Sequence, residues 1–268
     1  AKFNQEGKYK YITYHKIFRR TEFFHVEGYG KFEGYANRDS LKYRSIYGLD
    51  DILTLYRGTI RRVGFSKAWN MFVQLGMTDD SYVMENSETM SYRDFINSFL
   101  PFHASDSVEL KTRMALGIEQ DDIMWDKLME LDIFNASKIV GLKNATPAQI
   151  LERILNDSWT LQPDDKDMIV MYHKFGYEIN GERKQIDSKM VCIGDDQIYT
   201  AMAKTVGLPV AVATLQILNG NIKTPGVQLP INKEVYEPIL IELAAHGIVF
   251  NETEMPYVGY NPDKLEGN

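Results

Sequence analysis

A chain of 268 residues with 44% hydrophobic and 25% charged side chains has the balance of an ordinary globular protein, large enough for one sizeable domain or two modest ones. A net charge of −7 and a pI near 5.3 argue against nucleic acid as the main partner, because phosphates favour a basic surface. A single cysteine, Cys192, excludes an intrachain disulfide and a cysteine-based metal site; together with a first stretch lacking a secretory apolar core, this makes the cytoplasm the expected location.

In chain order, residues 8–18 (KYKYITYHKIF) are rich in aromatic and β-branched residues and predict a strand, with a second over 22–35 that carries glycines near its end. ANRDS has turn chemistry, and 40–48 predicts a short helix stopped by Gly48. The 65–76 stretch places Phe65, Ala68, Trp69, Phe72 and Val73 mostly on one face and ends in Gly76, a helix with its stop; YRGTIRR (56–62) is left as an extended connector. Four amphipathic helices follow over 91–101, 106–117, 120–134 and 146–159, with Asp106 and Thr146 as expected N-caps and Pro147 at a first helical position. Their Met and Trp residues recur at helical spacing, which predicts core packing. Residues 168–179 and 184–194 flank an Asn180-Gly181 step, a hairpin signal, and helices are expected over 198–207, 209–220 and 234–247. The longest apolar run, 206–218, is interrupted by Gly207, Pro209, Thr214 and Gln216, so no membrane span is expected. The fold class is α+β.

Against the acidic total, residues 31–62 hold seven basic side chains and four acidic ones. Arginine dominates this cluster, and its planar fork can grip a carboxylate through two parallel hydrogen bonds where lysine offers a point charge. Two readings fit: surface arginines paired with Asp39, Asp50 and Asp51, or a site for a small carboxylate ligand. A connector such as YRGTIRR could present the Thr59 hydroxyl, backbone amides and two or three arginines toward one point.

Signatures of common chemistries are missing from the sequence. Dinucleotide-binding G-x-G-x-x-G, the phosphate loop, H-E-x-x-H and G-x-S-x-G do not occur. His15, His25, His103, His173 and His246 are scattered, and Cys192 lies in an apolar stretch that suits a buried small side chain. No general acid or base stands out.

GYANRDSLKYRSIYG, YRGTIRRVGF, KDMIVM and AMAKTVGLP, in this order and spacing, resemble the C-terminal substrate domain of saccharopine dehydrogenase of the L-glutamate-forming type, also present in bifunctional aminoadipate semialdehyde synthase. The likeness spans roughly residues 28–250; the helical middle from Asp79 to Gln162 departs freely. It implies a mixed β-sheet covered by helices, forming the substrate and dimerisation domain (1–222) of a Rossmann-type dehydrogenase. A tail (223–268) is expected to return to a nucleotide-binding domain that precedes this stretch in the intact enzyme. The implied reaction oxidises the secondary amine of saccharopine with NADP or NAD, the imine then hydrolysing to glutamate and aminoadipate semialdehyde. Implied saccharopine contacts are Arg38, Thr59, Ile60 and Arg61, with Ile60 acting through its backbone; Arg57 and Arg62 are left between ligand contact and structural roles. Implied partners are saccharopine, the chain's own nucleotide-binding domain and a second copy in a homodimer. A related dehydrogenase acting on carboxynorspermidine, or a non-catalytic dimerisation or ligand-sensing module, would keep the same arginines.

Overall fold

The computed structural model describes residues 1–257 and 259. β1 (Lys2–Gln5) and β2 (Lys8–Tyr11) form a hairpin around Glu6 and Gly7, both at positive φ. The strand expected over 8–18 stops at Tyr11, and α1 (Tyr14–Ile17) is a single helical turn. This turn lets Ile12, Ile17 and Phe18 bury together against Phe3 and Ala36, which a strand, with its side chains alternating between faces, could not do.

The one strand expected over 22–35 is two. β3 (Thr21–Val26) folds back onto β4 (Gly30–Ala36) through residues 27–29, with Gly28 and Gly30 at φ 78° and 86°. Those glycines are the turn, because side-chain-bearing residues rarely adopt such angles. After a 3-10 turn (Leu41–Tyr43), shorter than the expected helix, β5 (Gly58–Arg62) turns the expected connector into a strand paired with β4. α2 (Phe65–Leu75) forms where its periodicity predicts and ends at Gly76, φ 86°.

The helical middle holds α3 (Tyr92–Asn97), α4 (Val108–Leu116), α5 (Ile123–Met129) and α6 (Pro147–Trp159). Thr146 caps α6 as expected, its hydroxyl accepting from the Gln149 amide while the Gln149 side chain accepts from the Thr146 amide. On α4 the cap is Ser107 in place of the expected Asp106, which instead lies 3.1 Å from His103. Phe95, Ile96, Ile133, Ile150 and Ile154 are inaccessible to water, and Met71, Met77, Met124 and Trp125 pack in the same core.

β6 (Met168–Ile179) and β7 (Glu182–Ile193) form the expected long hairpin, turning at Asn180 and Gly181 with φ 54° and 78°. β8 (Asn251–Pro256), not foreseen in the sequence, adds to the other edge of β7. α7 (Ala201–Leu218) is one continuous helix where two were expected, since Pro209 removes only one N–H donor and does not end it. α8 (Lys233–Ala245) joins α7 over a core of Met190, Cys192, Ala201, Leu243 and Ile248. The expected tail thus begins with α8 and β8 packed on this unit; its last residues, 258 and 260–268, lie outside the described residues.

The expected mixed sheet is not formed. Among the described residues the strands make three separate sheets, β1-β2, β3-β4-β5 and β6-β7-β8, and every ladder between them is antiparallel. Tight hairpins, which allow only antiparallel neighbours, join β1 to β2, β3 to β4 and β6 to β7, while β5 and β8 reach their partners over longer connections. The two three-stranded sheets touch where Phe24 stacks on Tyr172, ring centroids 5.0 Å apart, and where Arg62 reaches the Met168 sulfur at 3.8 Å.

Candidate carboxylate-binding site

Side chains alternate along a strand, so the β4–β5 register sorts the arginine-bearing motif into two faces. Tyr35 pairs with Thr59 and Glu33 with Arg61, and these four share one face; Ile60 pairs with Gly34 on the other. Thr59 and Arg61 are therefore brought together, while the Ile60 side chain is not. The Ile60 backbone is in reach instead: β5 is an edge strand, and the Ile60 carbonyl accepts from Arg61 Nη1 at 3.4 Å.

Arg38 lies two residues beyond the end of β4, exposed, with φ +55° in the left-handed region. Its neighbours explain why it stands free. Asn37 Nδ2 donates to Thr59 Oγ1 at 2.8 Å, Asp39 accepts from the Leu41 amide at 3.0 Å and lies 3.6 Å from Lys2, and the buried Ser40 hydroxyl accepts from the Arg57 amide at 3.0 Å. Three of the four NRDS side chains thus wire the turn to β5 and to the N-terminal hairpin, leaving the Arg38 guanidinium toward water.

The surface-pair reading does not describe these arginines. Among the described residues none of Arg38, Arg57, Arg61 or Arg62 forms an ion pair. Of the acids expected to pair with them, Asp39 is engaged as above, Asp50 accepts from the Ser45 hydroxyl at 2.7 Å and Asp51 forms no ion pair among the described residues; Glu33, 3% exposed, is held by the amides of Gly64 and Ser66 at 2.9 and 2.6 Å. Glu33 so placed supplies the negative charge favoured at the N-terminus of α2.

Arg57 and Arg62 separate in role. Arg62 points to the opposite face, lies 4.5 Å over the Phe32 ring and donates to the Tyr29 carbonyl at 2.6 Å, which makes it structural. Arg57 sits 4.4 Å over Tyr43, and Arg61 5.2 Å over Phe65. A guanidinium resting on a ring keeps its edge N–H groups free for an anion.

Sequence reasoning missed Tyr35 and Asn37. Burial raises the Tyr35 pKa, opposed by Arg61 and Thr59, so its hydroxyl stays neutral beside them. Only the strand register could have shown this. An open recess of about 630 Å³ between β7 and β8, lined by Glu182, Lys184, Glu254 and Tyr257, contains none of the predicted residues. Among the described residues no three His, Cys, Asp or Glu side chains are grouped to hold a metal ion. Cys192 is buried, with its thiol pKa raised by desolvation, the opposite of a nucleophile's environment.

Residues 1–248 match the model of the saccharopine dehydrogenase C-terminal domain. The chain belongs to this family. It is 36% identical over 226 residues to alpha-aminoadipic semialdehyde synthase, mitochondrial, of Rattus norvegicus, covering 82% of this chain and 24% of that protein. It is 29% identical over 262 residues to saccharopine dehydrogenase [NADP(+), L-glutamate-forming] of Saccharomyces cerevisiae, covering 94% of this chain and 58% of that one. The solved structure of apo histidine-tagged saccharopine dehydrogenase (L-Glu forming) from Saccharomyces cerevisiae superimposes with a TM-score of 0.81 at 26% identity, over 95% of this chain and 58% of the other. The chain spans a quarter to just over half the length of these relatives.

Proposed function

We propose that this chain is the substrate-binding portion of a saccharopine dehydrogenase that interconverts saccharopine with L-glutamate and 2-aminoadipate 6-semialdehyde. The observation that carries the reading is a set of guanidinium groups without acid partners, Arg61 beside Thr59 on β5 and Arg38 on the turn tied to Thr59 through Asn37. Saccharopine carries three carboxylates. Arg38 and Arg61 bind two of them bidentately, Thr59 adds a hydroxyl, and the Ile60 backbone fixes the ligand along the strand edge.

A nicotinamide cofactor is implied by the relatives' names, NADP in the yeast enzyme. The described residues do not fit it. Their strands pair antiparallel throughout, where a dinucleotide cradle is built on parallel strands joined by a helix. The amides at the starts of α2 and α7 are taken by carboxylates, Glu33 on Gly64 and Ser66, and Asp167 on Ala201 and Met202 at 2.5 and 2.9 Å. A pyrophosphate would meet negative charge at both. No step is therefore assigned to the cofactor here, and its binding falls to the part of the parent protein outside this chain.

The outer face of α7 supports the same division. Met202, Val206, Val210 and Ile217, at spacings of four, four and seven residues, follow one side of the helix and are 55%, 58%, 65% and 57% exposed. By length and composition α7 could cross a membrane, with a mean hydropathy of 1.5 over 18 residues. A helix apolar on all sides is usually buried in a larger fold, and the missing portion of the parent protein provides that cover.

Calorimetric titration of saccharopine into the full-length parent protein without nicotinamide cofactor, so that no turnover adds heat, tests the reading. Arg38→Ala and Arg61→Ala should each weaken binding by about 10- to 100-fold, the worth of a charge-assisted hydrogen bond or two. Unchanged affinity in both variants refutes it.

A further inference from the structure

We propose that Tyr35 and Asn37 are positioning residues of this site: Tyr35 holds the Arg61 guanidinium and Asn37 sets the direction of the Thr59 hydroxyl, without either touching the ligand. The inference rests on the assignment of Arg61 and Thr59 to ligand carboxylates.

The geometry begins in the register. Tyr35 lies directly opposite Thr59 on β5, and Asn37, one residue beyond the end of β4, reaches the same Thr59 side chain. A threonine hydroxyl has one proton and two lone pairs. Asn37 Nδ2 fills one lone pair of Thr59 at 2.8 Å, so the proton must point to an acceptor elsewhere. Tyr35, directly opposite Thr59 in the ladder and on the same face as Arg61, presents its hydroxyl for that role, and its pKa, raised by burial, is pulled down by both Arg61 and Thr59. When a carboxylate arrives, the Thr59 proton swings to it while the Asn37 contact is kept.

Tyr35 itself is held by its ring. It lies 4.8 Å from Phe18 and stacks within 9° of parallel on Phe65, 6.3 Å away. Phe65 stacks in turn on Trp69 at 5.8 Å, and Arg61 lies over that same Phe65 ring. The Arg61 guanidinium and the Tyr35 ring thus share Phe65, and the aromatic row holds the Tyr35 hydroxyl on the face that Arg61 occupies. An arginine pre-set in this way loses less rotamer freedom on binding than one waving in water.

The test uses the full-length parent protein, with saccharopine as the probe. Tyr35→Phe keeps the ring stack and removes only the hydroxyl; Asn37→Ala removes only the amide. Each should raise the saccharopine Kd about three- to tenfold, as expected for one hydrogen bond, with the thermal midpoint held. The decisive readout is the double-mutant cycle. Tyr35→Phe should add nothing in an Arg61→Ala background, and Asn37→Ala nothing in a Thr59→Val background. Full additivity overturns the proposal, because the residues would then act independently of the ones they are said to position. If Arg61→Ala weakens binding and Tyr35→Phe does not, the positioning role fails and the functional reading stands. If Arg61→Ala itself changes nothing, the assignment of Arg61 to a ligand carboxylate fails, and the positioning role of Tyr35 falls with it.

Discussion

Glu22→Gln should abolish a pH dependence of stability that the fold builds into β3. Glu22 pairs with Gly34 in the sheet register, and its carboxyl is drawn away from water between the two three-stranded sheets. Desolvation pushes its pKa from the ordinary 4.5 up to about 7, with Lys174 on β6 pulling it down by a smaller amount. The nearby Tyr56 hydroxyl is itself pushed upward by burial and by the Glu22 charge. The sign follows from proton counting. Between pH 4.5 and about 7 the unfolded chain has released this proton and the folded chain still holds it, so stability is full below 4.5 and falls as pH rises through 7. At about 1.4 kcal/mol for each pH unit the loss has a ceiling of roughly 3 kcal/mol, and partial exposure of the side chain lowers it to about 1.5 kcal/mol. Glutamine keeps the shape and never ionises. Urea unfolding followed by tryptophan fluorescence at pH 5 and pH 8 should show the variant gaining about 1.5 kcal/mol on the parent chain between the two pH values. A stability difference equal at both would refute the assignment of a near-neutral carboxyl to this position.

Two further outcomes concern ion placement. Glu33→Ala strips the partner from the Gly64 and Ser66 amides at the start of α2 and should cost about 2–4 kcal/mol in urea unfolding; a loss below ~0.5 kcal/mol would show that water replaces the carboxylate. Arg93 grips Glu109 through two contacts of 2.6 and 2.8 Å, joining α3 to α4, and the hydrogen bonds from Arg93 hold the Glu109 carboxyl below its ordinary range. The contribution of that pair is therefore present above the ordinary carboxylate pKa and lost as pH falls through the folded value. Because both side chains are about one-third exposed, Glu109→Gln should cost only about 1 kcal/mol at pH 7 and less at pH 3, and an equal cost at both would contradict the pairing.

Local signals accounted for what depends on neighbours in the chain. The periodicity and glycine stop of α2, the Thr146–Pro147–Gln149 start of α6 and the Asn180-Gly181 turn of the long hairpin all act over a few residues, and each formed where expected. The motifs GYANRDS and YRGTIRR likewise carried the family and pointed to Arg38, Thr59, Ile60 and Arg61. What the motifs could not convey was orientation. Whether an arginine lies on the Thr59 face or on the Phe32 face differs by one step along a strand, and that step is decided by which residue of β4 lies opposite. The same long-range pairing split the 22–35 stretch into a hairpin, recruited β8 from 58 residues beyond the end of β7, and brought Glu33 and Asp167 to helix ends remote in sequence. The sequence by itself thus determined the family, the amphipathic helices α2 and α6 and the Asn180-Gly181 turn, whose signals act over a few neighbouring residues. Only the tertiary structure decided that Arg61 shares a face with Thr59 while Arg62 turns to the opposite one, and that neither forms an ion pair among the described residues, because strand register and burial are set by contacts between distant residues that no local pattern encodes.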